Sequence, residues 1–172
     1  MSWADSIVRA LKNNNVRFLN YVPDSKIEKI LEAARKHGGF EFLPLTREEE
    51  GIGVVCGQAI GGARGVLLCP TAGLGNSINA LASMAIPYCI PCPIIIGVRG
   101  ELGEFNPGQI TMGQATQDIL DALRIPAYRL TREDDTEKIT DGAMRMCYAS
   151  DGPMALLVTN ELAGWKEGTP LS

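Results

Sequence analysis

The chain is predicted to fold as an α/β protein, a mainly parallel sheet held between two layers of helices. Two observations carry this. Short apolar runs alternate with amphipathic helical stretches from end to end, the pattern of strands joined by crossover helices. Two of the runs, Gly65-Val66-Leu67-Leu68-Cys69 and Cys92 to Val98, are apolar without alternation, as strands buried on both faces are. A length of 172 residues suits one domain, read as 1–172. A domain near this size buries roughly 70% of its unfolded surface, so it needs no disulfide or metal staple.

The elements follow in order. Ile7, Val8 and Leu11 lie on one face of a short helix from Ser2 to Asn14. Val16 to Val22 reads as a strand. Pro23-Asp24-Ser25 opens a helix with Ile27, Ile30, Leu31 and Ala34 on its buried face, and Gly38-Gly39 ends it. Phe40 to Leu45 is the next strand. Thr46 starts a helix that stops at Gly61-Gly62, and Gly65 to Cys69 is a buried strand. Pro70-Thr71-Ala72-Gly73-Leu74-Gly75-Asn76 is expected to be a glycine-rich turn into a helix running to about Met84. After the strand ending at Val98, residues Arg99 to Gly113 read as a long loop rich in glycine and proline, long enough to suggest function. Gln114 to Leu123 is helical, Ala127 to Leu130 is a strand, Thr131 caps a helix from Glu133 to Tyr148, and Met154 to Val158 is the last strand.

Composition excludes several roles. The net charge is −4 with scattered basic residues, so there is no nucleic-acid footprint. The most apolar region, Met84 to Val98, is broken by three prolines and is too short for a membrane span. No basic start followed by an apolar run marks a signal peptide. The five cysteines, an odd number mostly in apolar contexts, fit reduced thiols of a cytoplasmic protein. Cys89 and Cys92 form a C-x-x-C, but His37 is the only histidine and no second ligand pair stands at zinc spacing. The pair leads into a strand, whereas a redox pair opens a helix, so ordinary core thiols are the favoured reading.

Ligands of parallel sheets sit beyond the carboxyl ends of the strands. Three stretches lie there: Thr46 to Glu50, Pro70 to Asn76, and Arg99 to Gly113. In the first, Thr46 and Glu49 match a capping box, and three acidic residues suit the positive end of a helix dipole. That alone would explain Glu49. Gly53, Gly57 and Gly61, however, recur on one helix face, each interior one costing about 1 kcal/mol relative to alanine, which suggests a close neighbour or a flat ligand. In the second stretch, helix-start N–H groups favour a polar or anionic atom. Ile78 stands where a dinucleotide fingerprint has its third glycine, so a plain tight turn is the competing reading. In the third, Arg99 is a strand-end cation able to pair with an anionic substrate, and Gln109 and Gln114 could orient a carboxylate or sulfonate. Each has a plainer reading as a solvated surface residue.

These motifs together resemble a known family. Arg47-Glu48-Glu49-Glu50-Gly51, Gly57, Pro70-Thr71-Ala72-Gly73-Leu74-Gly75-Asn76-Ser77-Ile78-Asn79 and Gly97-Val98-Arg99-Gly100-Glu101 look like the pyrimidine-binding domain of thiamine-diphosphate enzymes. The likeness runs from Val16 to Val158 and is nearest to the alpha subunits of sulfopyruvate decarboxylases, with phosphonopyruvate decarboxylases next. It implies a six-stranded sheet and a place in coenzyme M biosynthesis. It also implies that Glu49 faces the pyrimidine N1′ atom, where sharing a proton favours the imino tautomer that activates the thiazolium carbon. Thr71, Gly73, Gly75 and Asn76 would line the pocket for cofactor or substrate, and Arg99 and Gln109 would meet the acid group of a small anionic 2-oxo acid. Two departures matter. The family's Gly-Asp-Gly motif and its asparagine, which hold the diphosphate through magnesium, are missing, which implies a beta subunit carrying that half. The histidines of many relatives' active-site loops are missing too. A non-catalytic nucleotide-binding or regulatory module is the reading from another class.

Overall fold

A computed structural model describes residues 2–164. Six strands form one parallel sheet: β1 (Phe18–Tyr21), β2 (Glu41–Pro44), β3 (Gly65–Pro70), β4 (Cys92–Gly97), β5 (Ala127–Leu130) and β6 (Pro153–Val158). Their order is β2-β1-β3-β4-β6-β5. Seven helices accompany them among the described residues: α1 (Trp3–Asn13), α2 (Ser25–His37), α3 (Glu48–Ile60), α4 (Thr71–Ala80), α5 (Pro107–Ala122), α6 (Glu133–Ser150) and the short α7 (Asn160–Ala163). The expected three-layer α/β/α architecture is the observed one.

Alternation along the strands divides the core in two. Leu19, Val66, Leu68, Ile95, Leu156 and Val158 point toward α1, α2 and α6. Leu67, Cys69, Ile94, Ile96 and Leu157 point toward α3 and α4. Successive strand residues face opposite layers, so both faces must be apolar, and the uninterrupted runs in β3 and β4 follow. On β1, the wholly buried Asn20 exchanges two hydrogen bonds with Gln58 of α3, 2.9 and 3.0 Å long, which fixes α3 against the sheet.

Four boundaries differ from expectation. α4 begins at Thr71, so Gly73 and Gly75 lie inside a helix and not in a turn, and Leu81–Ala85 continues it as a π-helical turn. α5 begins at Pro107, which shortens the long loop to its first half. Asn106 caps α5 by accepting from the Gly108 N–H at 3.0 Å, and Pro107 occupies the first helical position, where a missing N–H costs nothing. α3 is capped differently as well: Arg47 is the N-cap without a side-chain bond, and Glu50 reaches back to accept from the Thr46 N–H at 3.0 Å. Thr46 and Glu49 therefore form no capping box. α6 has Arg132, and not Thr131, at its N-cap.

Candidate active site

The ends of β1, β3 and β4 are adjacent, and the helices and loops that leave them gather the candidate residues. The carboxyl group turned inward is that of Glu48. It is 8% exposed, at the first turn of α3. α4 passes so close that a Cβ placed on Gly73 would stand 2.3 Å from Glu48 Cγ and 2.9 Å from its Oε1. Only glycine leaves room there for the carboxyl group. Asn76 Nδ2 donates to Glu48 Oε2 at 3.2 Å, and among the described residues Oε1 has no donor.

Glu49 is placed otherwise. Its side chain is 38% exposed and pairs with Arg47, Nε to Oε1 at 3.2 Å. On this geometry Glu48, and not the expected Glu49, is the carboxyl group buried against α4. A sequence signal was available: Glu48 lies four, seven and eight residues before the buried Ile52, Val55 and Cys56, so it shares their helix face. Glu49 shares the face of Gly53 and Gly57, where added Cβ atoms would meet nothing within 4 Å.

The other expected residues fall into two groups. Thr71 is wholly buried and its Oγ1 has no hydrogen-bond partner among the described residues. Gly73 forms the cradle, Asn76 holds Glu48, and Gly75 lies under Met112 of α5, whose Sδ is 3.0 Å from the position of a Cβ. Thus Glu48, Gly73 and Asn76 come together. Arg99 belongs to a second cluster, in which two carboxylates meet its guanidinium group. Its Nε and Nη2 bond the two oxygens of Glu104 at 2.8 and 2.9 Å, and Nη1 lies 3.5 Å from Asp24 Oδ2. Gln109 has its Oε1 buried without a partner among the described residues.

Sequence reasoning gave no place in the site to Asp24, Lys26, Glu101 or Glu104, which surround Arg99 or one another. Lys26 is 6% exposed and donates to the carbonyls of Val98 and Val158, where β4 and β6 end. Burial brings its pKa down to about 8, against the opposing pull of Glu101 and Asp24. Lys26, Arg99, Ser25, Phe105 and Asn160 border a cavity of about 100 Å³. The two clusters flank the end of β3. Burial first, then the charges of Glu48 and Asp24, push the Cys69 thiol well above its usual range. Cys89 is exposed whereas Cys92 is buried, so the two halves of the C-x-x-C do not share an environment.

Arg99 above all, with the N–H groups of Asn106 and Gly100, pulls the Glu104 carboxyl down to about 2 from an ordinary 4.5. The folded-state value is the lower one, so the stabilisation is present above pH 4.5 and is lost as pH falls from about 4.5 toward 2. Thermal melting across that window should drop more steeply for the wild type than for Glu104→Gln; parallel curves would count against the assignment.

The arrangement defines a class: a parallel α/β domain with a glycine-cradled carboxyl group in the crevice beyond its strands. Residues 1–123 match the family described as thiamine pyrophosphate enzyme, N-terminal TPP binding domain, and the chain belongs to that family. It is 35% identical over 92% of its length to the sulfopyruvate decarboxylase subunit alpha of Methanococcus maripaludis, covering 95% of that chain. It is 32% identical over 70% of its length to a phosphonopyruvate decarboxylase of Streptomyces viridochromogenes, but spans only 31% of it. The fold is also that of a 2-oxoglutarate:ferredoxin oxidoreductase from Magnetococcus marinus, with a TM-score of 0.74, 15% identity, and coverage of 95% of this chain and 29% of that one. Among the described residues, no group of three His, Cys, Asp or Glu side chains could hold a metal ion, and no helix is long and apolar enough to cross a membrane.

Proposed function

We propose that this chain is the pyrimidine-side subunit of a thiamine-diphosphate-dependent 2-oxo acid decarboxylase that converts sulfopyruvate to sulfoacetaldehyde and carbon dioxide. The observation that carries the reading is the Glu48 carboxyl group, buried in the Gly73 cradle with one oxygen held by Asn76, in a chain of this family. Glu48 would hold and exchange a proton at Oε1 toward the aminopyrimidine, while Asn76 fixes the other oxygen so that the carboxyl group cannot rotate away. Bound there, the cofactor supplies the electron sink that decarboxylation needs. The Gln109 amide is the group we retain for the acid end of the substrate.

The residues present fit the pyrimidine end of the cofactor and not its diphosphate end. Magnesium asks for several oxygen ligands in near-octahedral array, and neither the sequence nor the described side chains offer that set. We therefore place the diphosphate and magnesium on a beta subunit, in line with the name of the Methanococcus relative. A cytoplasmic setting suits five free thiols, four of them buried.

The test is a substrate panel on the enzyme reconstituted with its partner, cofactor and magnesium. Carbon dioxide release should be fastest from sulfopyruvate. Preference for phosphonopyruvate, which the Streptomyces relative's name makes the next choice, would move the substrate within the class. Release from none of sulfopyruvate, phosphonopyruvate and pyruvate would overturn the decarboxylase reading.

A further inference from the structure

We propose that Arg99 and Glu104 are positioning residues: an ion-pair clamp that fixes the loop after β4 and the start of α5 relative to the crevice, with Arg99 acting through Glu104 and not on the substrate. The proposal rests on the decarboxylase reading only for its kinetic test.

Four contacts converge on Glu104. Arg99 takes both of its oxygens in a fork, and the N–H groups of Gly100 and Asn106 add bonds of 3.4 and 3.1 Å. Bidentate pairing of this kind fixes direction as well as distance. The side chains of Arg99 and Glu104 are 11% and 5% exposed, so the pair is shielded from solvent. The loop is also closed at its base. Gly100 has φ +74°, and a Cβ there would lie 2.6 Å from the Ile110 carbonyl oxygen. A Cβ on Gly113 would lie 1.9 Å from the Arg99 carbonyl oxygen. Backbone therefore touches backbone between the strand end and the first turns of α5.

The clamp reaches two other elements. Asp24, which caps α2 by accepting from the Lys26 N–H at 3.0 Å, stands beside Arg99 with its second oxygen. Asn106, held through its N–H by Glu104, is itself the cap of α5. α5 then lays Met112 on Gly75, next to the Asn76 that holds Glu48. A charge that already has two carboxylate partners has little left for a substrate, whereas a loop pinned at four points can set where α5 begins.

A double-mutant cycle in the reconstituted enzyme, with limited trypsin digestion, tests this. Arg99→Ala, Arg99→Lys and Glu104→Gln should each raise KM for the 2-oxo acid on the order of tenfold with a smaller change in kcat. The double variant Arg99→Ala with Glu104→Gln should be no worse than the worse single one. Lysine should fail because it keeps the charge but loses the fork. Trypsin should cut after Arg99 in Glu104→Gln and not in the wild type, a readout that needs no activity and stands whatever the substrate proves to be. If Arg99 binds the substrate directly, Glu104→Gln frees it: kcat/KM then holds or rises, Arg99→Lys is mild, and the bond after Arg99 stays protected. That set of results overturns the clamp.

Discussion

Glu48→Gln should lower turnover by about 10²–10⁴-fold, the range for losing a positioned proton-transfer group, while Glu49→Gln leaves it near the wild-type rate. Glutamine keeps the shape of Glu48 and an oxygen for the Asn76 amide, so the contact to α4 survives. What it loses is the ability to take and return a proton. Glu49 has only the exposed Arg47 pair to lose, and such pairs contribute about 0–1 kcal/mol. Gly73→Ala provides a second route to the same failure, because its Cβ would overlap Glu48 Cγ and force the carboxyl group out of the cradle. Decarboxylation rates and melting curves of the three reconstituted variants decide it. Equal damage from both glutamine variants would mean that the acidic first turn acts only as a helix start.

That Glu48 and not Glu49 turns inward was legible, but only by weighing one helix face against another. The run Arg47-Glu48-Glu49-Glu50 carries three carboxylates with three fates: one buried against α4, one paired at the surface, one bonded back to the Thr46 N–H. Local capping rules favour a Thr-x-x-Glu reading because they consider only the helix end. The tertiary fact that decides is the crossing of α4 at Gly73, a contact between residues far apart in sequence. The pairing of Arg99 was hidden for the same reason. A strand-end arginine looks available until the chain returns five residues later with Glu104.

The strands and their parallel arrangement followed from apolar patterning, since burial on both faces leaves little freedom in composition. The errors gathered at helix starts. A glycine pair inside α4 reads locally as a turn, and its place in a helix is understood only once Glu48 and Met112 are seen to need the space. Asn106-Pro107 did carry a start signal for α5, hidden by a glycine- and proline-rich neighbourhood that reads as loop.

Gly57→Leu should leave the isolated chain as stable as before or more so, and should abolish assembly with the partner subunit. The two effects have different origins. Within the chain, a Cβ on Gly57 or Gly53 would meet nothing within 4 Å, so a side chain has room to leave the backbone there. Replacing a helix-interior glycine by a good helix former is worth about 1 kcal/mol in favour of α3. Glycines kept on an exposed helix face at that cost make sense when another backbone must come close. The same layer exposes Ile60 at 76% and Tyr88 at 73%, large apolar side chains of the kind that associating surfaces carry. The partner we assign to this face is the beta subunit on which the diphosphate and magnesium are proposed to sit. The cofactor would then lie across the boundary, its pyrimidine at Glu48. Melting of the variant alone, co-elution with the partner, and calorimetric titration with cofactor and magnesium together read the outcome. Assembly and turnover by Gly57→Leu at wild-type levels would remove the glycine face from the interface. Micromolar cofactor binding with decarboxylation by the isolated wild-type chain would remove the need for a partner at all.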